Sequence, residues 1–220
     1  NTGGTAVGFW PTSDLSAAME DDGTGTLRVA NFNGVAFGLD YRTTSGFTAS
    51  GNGNSLAWNG VGSNADPANW AVSVSPPATT SVQVTLPGAA INSTADVASP
   101  GIVPSGPAAS GLLISEMMFN PRSAEPGFEW IEIYNNTGST INFGGNYFLH
   151  DTTTLADLAA PNIGTGSVPQ GGVAVLYDSS IVTQQNMIDA WDPGGALGVN
   201  FIPVSSFPAL ANGGDTVAIW

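Results

Sequence analysis

The sequence predicts an all-β fold made of two β-sandwich domains, and three features carry that prediction. Period-two alternation of apolar and polar residues recurs along the chain. Helical periodicity is almost absent. The 29 glycines and 15 prolines are spread out as turns between short stretches. In the first half, "TLRVANF" (residues 26–32) is a weak strand. "VAFGLDY" (35–41) is stronger, with Val35, Phe37, Leu39 and Tyr41 on one face. "WAVSV" (70–74) and "VQVTL" (82–86) repeat the pattern. Such half-buried strands need a second sheet to cover their apolar faces. Residues 1–97 therefore read as an antiparallel sandwich of jelly-roll or immunoglobulin-like type. "SDLSAAMEDD" is either a short helix capped by Ser13 or Asp14, or an irregular loop. "GNGNSLAWNG" reads as a long turn with Trp58 as a packing anchor.

Residues 98–111, "ASPGIVPSGPAASG", have the composition of a linker, because proline stiffens the segment and removes donors that a sheet needs. Strands resume in residues 112–220 with "LLISEMMF" and "EWIEIYN". "INFGGNYFLHD" follows as strand, Gly-Gly break and strand. "GGVAVLYD" alternates Val173, Val175 and Tyr177, and "SSIVTQQNMIDAW" leaves room for one helical turn. "NGGDTVAIW" reads as a hairpin-type turn and a closing strand.

Composition narrows the function. Hydrophobic residues make up 42% of the 220, enough to build cores, while charged residues make up only 9%. Seventeen acidic residues face three basic ones, Arg28, Arg42 and Arg122, giving a net charge of −14. That balance repels phosphate backbones and excludes a basic nucleic-acid or anionic-membrane surface. No lysine is present for a Schiff base or a phosphate loop, and no cysteine for disulfides or thiolate metal sites. No stretch is long and apolar enough to span a membrane. Low charge with abundant Ser, Thr, Asn and Gly points to an extracellular or cell-surface protein. The first residues lack a basic segment followed by an apolar run, so a secretory leader is expected to have been removed already.

Several residues invite a chemical reading. Glu129 and Glu132 look like a hydrolase carboxylate pair. Residues three apart on a strand point to opposite faces, however, so they cannot converge without a bulge. Glu129, Ile131 and Ile133 should face the core, with Trp130, Glu132 and Tyr134 on the other side. That second face is read in two ways: carboxylates bonded to loop N–H groups, or an aromatic and acidic platform for a protein or sugar. His150-Asp151 resembles part of a nucleophilic triad, but the only histidine has no accompanying nucleophile elbow. Asp21, Asp22 and Asp215 lie in acidic loops whose hard oxygens could hold a structural calcium ion, the one cofactor left open; EF-hand spacing is absent. Asn92 and Asn135 begin Asn-x-Thr sequons.

Four segments of the second half together resemble the lamin-tail domain, an immunoglobulin-like sandwich found in nuclear lamins and in secreted bacterial proteins. They are "LLISEMMFNP", "EWIEIYNNTGSTINFGGNYFLHD", "VPQGGVAVLYD" and "LANGGDTVAIW". The resemblance covers about residues 111–220 and implies one more strand after the "GGD" strand. That strand is expected either further along a longer polypeptide or from another chain, added at the edge of Val217, Ile219 and Trp220. Two functions follow as expectations. One is a non-catalytic extracellular structural or interaction protein, self-associating or binding other surface proteins, with filaments or arrays built by strand addition. The other is an accessory glycan- or surface-binding module of a larger secreted hydrolase. A catalytic reading finds no nucleophile, base and stabiliser to assemble.

Overall fold

A computed structural model describes residues 19–21, 27–29, 38–43, 46–49, 51, 53–63, 66–73, 82–84, 96–101, 111–122, 127–145, 147–150, 161–192, 194–214 and 216–219. Over these residues the chain is mostly β, with one short helix. The strands are β1 (Met19–Asp21), β2 (Leu27–Val29), β3 (Gly38–Asp40), β4 (Leu56–Trp58), β5 (Trp70–Val72), β6 (Val82–Val84), β7 (Asp96–Ala98) and β8 (Gly111–Met118). They continue with β9 (Trp130–Asn136), β10 (Ile141–Phe143), β11 (Leu149–His150), β12 (Gly166–Val168) and β13 (Val173–Asp178). The helix α1 (Gln184–Trp191) precedes β14 (Phe201–Val204) and β15 (Thr216–Ile219).

Alternating apolar stretches become strands wherever a partner is in reach. The main sheet runs β14-β13-β9-β8-β4-β5. Its pairs are antiparallel except β13 with β14. A parallel pair needs a crossover long enough to return the chain, and here α1 lies in that crossover. Thr183 caps α1: its hydroxyl accepts from the Asn186 N–H, and the Asn186 side chain accepts in return from the Thr183 N–H. Met187, Ala190 and Trp191 recur at helical spacing and are buried. The expected single turn is therefore an eight-residue helix.

Two further sheets, β11-β15-β3 and β10-β12, contribute to the core on one face of the main sheet. Ile131 and Ile133 of β9, Leu176 of β13 and Val204 of β14 form one cluster with Leu39, Leu149, Val168, Val217 and Ile219. Met118, Trp130, Val175, Tyr177 and Phe201 form a second cluster with Met187, Ala190 and Trp191 of α1 and with Ala98. The main sheet is thus covered on both faces. Gly144 and Gly145, at φ of 133° and 76°, make the predicted break after β10.

Three expectations are corrected. The strands do not separate into two sandwiches near residue 98: β4 pairs with β8, and β3 pairs with β15, so strands from both halves share sheets and one core. The start of the expected linker is not a free connection. Ala98 closes β7, and Ser99 and Pro100 are buried. "GNGNSLAWNG" is not only a turn, because Leu56–Trp58 form β4 inside the main sheet. Much of the expected first sandwich, and residues 102–110, lie outside the described residues.

Candidate functional site

The site begins with a break in the alternation of β8. Ile114 pairs with Ile133, yet Glu116 pairs with Glu132, so Ser115 is an extra residue in a β-bulge. Strict alternation would put Glu116 on the Ile114 face. The bulge turns it to the other face, directly opposite Glu132, with the Met118–Trp130 pair beside them. Two glutamates from adjacent strands thus meet on the side covered by α1 and by residues 98–101. Both are almost wholly buried, 2% and 1% exposed.

Every carboxyl oxygen of the pair receives a donor from the protein. Glu116 Oε1 accepts from the Ser55 hydroxyl and from the Ser99 N–H at 2.7 Å. Its Oε2 accepts from the Ser99 hydroxyl at 3.0 Å. Glu132 Oε1 accepts from the Ser115 hydroxyl at 2.7 Å, and Oε2 from the Gly101 N–H at 2.5 Å. Ser73 joins through a hydroxyl contact of 2.7 Å with Ser55. The pair therefore ties together the β4–β5 edge, the segment after β7, and the bulge of β8.

The electrostatics follow from burial. Desolvation raises the pKa of Glu116, against the opposing pull of its Ser55, Ser99 and Ser73 hydrogen bonds. Desolvation also raises that of Glu132 well above the ordinary glutamate range. The charge of Glu116 adds to the rise, while Ser115 and Gly101 oppose it. Two buried carboxyls facing each other share the logic of a dyad that cannot readily ionise twice. Chemically the arrangement can hold a proton and can clamp backbone.

Three further acids among the described residues are also bonded to internal donors. Glu129 Oε2 accepts from the Leu210 N–H at 2.8 Å, and Asp96 Oδ1 from the Arg122 N–H at 2.7 Å. Asp192, at the end of α1, accepts from the N–H groups of Leu197 and Val199. Glu129 and Glu132 do not converge, as strand geometry requires. Glu132 converges instead with Glu116.

The remaining predicted site residues fall as follows. Trp130, Glu132 and Tyr134 share β9, but Trp130 is wholly buried against Trp191, ring centroids 5.5 Å apart, and Tyr134 is 9% exposed. They form no exposed platform: Trp130 packs under α1, Glu132 bonds Gly101, and Tyr134 joins the cluster of Ile131 and Ile133. Trp58 and Trp70 are likewise buried. Val217 and Ile219 are buried, and β15 is paired on both sides, with β11 and β3. The edge expected to be open is closed by a strand of the same chain. His150 lies in β11 opposite Ala218, in a different sheet from the glutamate pair.

Asp21 lies in β1, while Asp22, Asp215 and Trp220 are outside the described residues. Among the described residues no group of three or more His, Asp or Glu is placed to hold a metal ion. The Asn135 sequon is closed to glycosylation in the folded chain. Its side-chain nitrogen donates to the Ser139 and Val168 carbonyls, and the residue is fully buried.

Sequence reasoning missed Ser55, Ser73, Ser99, Ser115 and Gly101. One signal was available: Ile114 and Met117, both apolar and three apart, flank Ser-Glu, which breaks strict alternation where the bulge lies. Comparison with protein-family models, with curated proteins and with solved structures finds no match to this chain.

Proposed function

We propose that this chain is a non-catalytic structural or interaction protein of the extracellular space or cell surface, working through contacts between β surfaces. The observation that carries this reading is the fate of the chemically able groups. Glu116, Glu129 and Glu132 are buried on internal donors, and Trp130 and Tyr134, which would form a sugar platform, are packed inside. Buried tryptophans favour contact between proteins over a glycan-binding role. The charge-poor composition suits protein packing, since little ion desolvation is needed.

The finer architecture belongs to the same proposal. Residues 111–219 form an immunoglobulin-like unit of the lamin-tail kind, with β3, β4 and β5 of the first half added at its edges. In support, the motif segments "LLISEMM", "EWIEIYN" and "GGVAVLYD" fall on the adjacent strands β8, β9 and β13. The strand that the resemblance implies beside β15 is supplied by β3. Strand addition between copies then uses the outer side of β5, the last strand of the main sheet there among the described residues. β14, at the opposite end, carries Pro203 and is bridged by Ile163.

Light scattering over a range of protein, salt and calcium concentrations, with a glycan array in parallel, tests the function. The expected result is concentration-dependent association and no glycan binding. A monodisperse monomer throughout, together with specific glycan capture, would overturn it.

A further inference from the structure

On the face of the glutamate pair, those two side chains bond residues of the first half, beside the backbone pairing of β4 with β8. Glu116 takes Ser55 from the β4 side and Ser99 from the segment after β7, while Glu132 takes Gly101 two residues further on. The same segment also makes backbone bonds to the β4 side: Val97 N–H to the Gly53 carbonyl, and Ser55 N–H to the Val97 carbonyl.

The charged and titratable groups around the pair leave it to its own electrostatics. β7 contributes Asp96, which is turned to the Arg122 N–H. α1 contributes Asp189, which accepts from Gln185, and Asp192, bonded to the loop beyond the helix. β13 contributes Tyr177 and Asp178, the latter bonded to Ser180. β4 and β5 contribute no ionisable residue. The forces acting on the pair are burial, the neutral donors and the two carboxyls themselves.

We propose that Glu116 and Glu132 form a proton-operated latch. It holds residues 96–101 over the main sheet while the pair keeps a proton, and releases them when both carboxyls ionise. Two opposed buried charges then repel, and each gains from reaching water, which only opening of the covering segment allows. The sign is fixed by the direction of the shifts. A carboxyl with a raised folded pKa binds its proton more tightly when folded. The stability it lends is complete below the ordinary glutamate range and is lost as pH climbs through the folded value. Docking is therefore firm in acid and loosens with rising pH, opposite to the behaviour of a salt-bridged carboxylate.

Hydrogen exchange of the whole chain at about pH 5 and about pH 8.5, corrected for intrinsic rates, reads the latch directly. Protection at Val97, Ser99 and Gly101 is expected to fall at least about tenfold between the two. Protection at Leu176, in β13 between β14 and β9, should hold. In Glu132→Gln the side chain stays neutral while its carbonyl can still accept from Gly101, so the fall should shrink to within about threefold. Glu116→Gln removes the opposing charge and should also reduce the fall. Wild-type protection that is constant with pH would overturn the proposal. So would a fall shared equally by Leu176, or one of the same size in both variants.

Discussion

Replacing Trp130 with alanine is expected to cost the fold about 3–5 kcal/mol, a large share of what a domain of this kind has to lose. Trp130 sits in β9 between Met118 of β8 and Tyr177 of β13, and its ring meets Trp191 of α1 edge-on at 5.5 Å. Removing the indole leaves a cavity where two strands and the helix meet. Edge-to-face aromatic contact adds roughly 0.5–1.5 kcal/mol beyond the area buried. Urea unfolding followed by circular dichroism gives the number, and Trp130→Phe, which keeps a ring, should lose less. A loss under about 1 kcal/mol would mean that the ring is not a keystone of this face.

Gly214→Ala should be the second most damaging change, at about 2–4 kcal/mol. Gly214 has φ of 94°, a region that costs an L-residue strain. A Cβ there would also come within 2.4 Å of the Arg42 Cα. That neighbour is backbone and cannot rotate away. Arg42 lies just beyond β3, and Gly214 just before β15, so the clash falls where the first half meets the last strand. Exchange should rise at Leu39 and Val217 before it rises at Ile133 of the main sheet. Equal rises at all three would show that the junction is not a separate weak point.

The strongest alternations were legible because their partners only confirm them. "LLISEMM", "EWIEIYN", "VAVLYD" and "TVAI" are strands in the sequence and in the structure. Leu56–Trp58 was not legible, since three residues among glycines and asparagines read as a turn until β8 offers an edge. Alternation expected Trp130, Glu132 and Tyr134 on one face; Trp130 packs with α1, whereas Tyr134 joins the cluster of Ile131 and Ile133. Alternation could not tell that the face of Trp130 and Glu132 is covered, because the cover comes from residues 98–101 and from α1, distant in sequence. Composition marked a boundary at residue 98, and Pro100 and Gly101 do end β7. That segment is also bonded to glutamates 17 and 31 residues further on, Ser99 to Glu116 and Gly101 to Glu132, which composition cannot reveal. Glu116 and Glu132 could be paired only by knowing the β8 bulge, a feature set by the register between strands.

Separate sandwiches would fold alone, whereas edges closed by β3 and β4 require the first half. Cooperative urea unfolding of residues 111–220 expressed by themselves, compared with the whole chain, tests that difference most directly. The fold described here predicts that the fragment, with β8 and β15 bared, has no cooperative transition or one much weakened. A fragment that unfolds cooperatively at the same midpoint as the whole chain would contradict it.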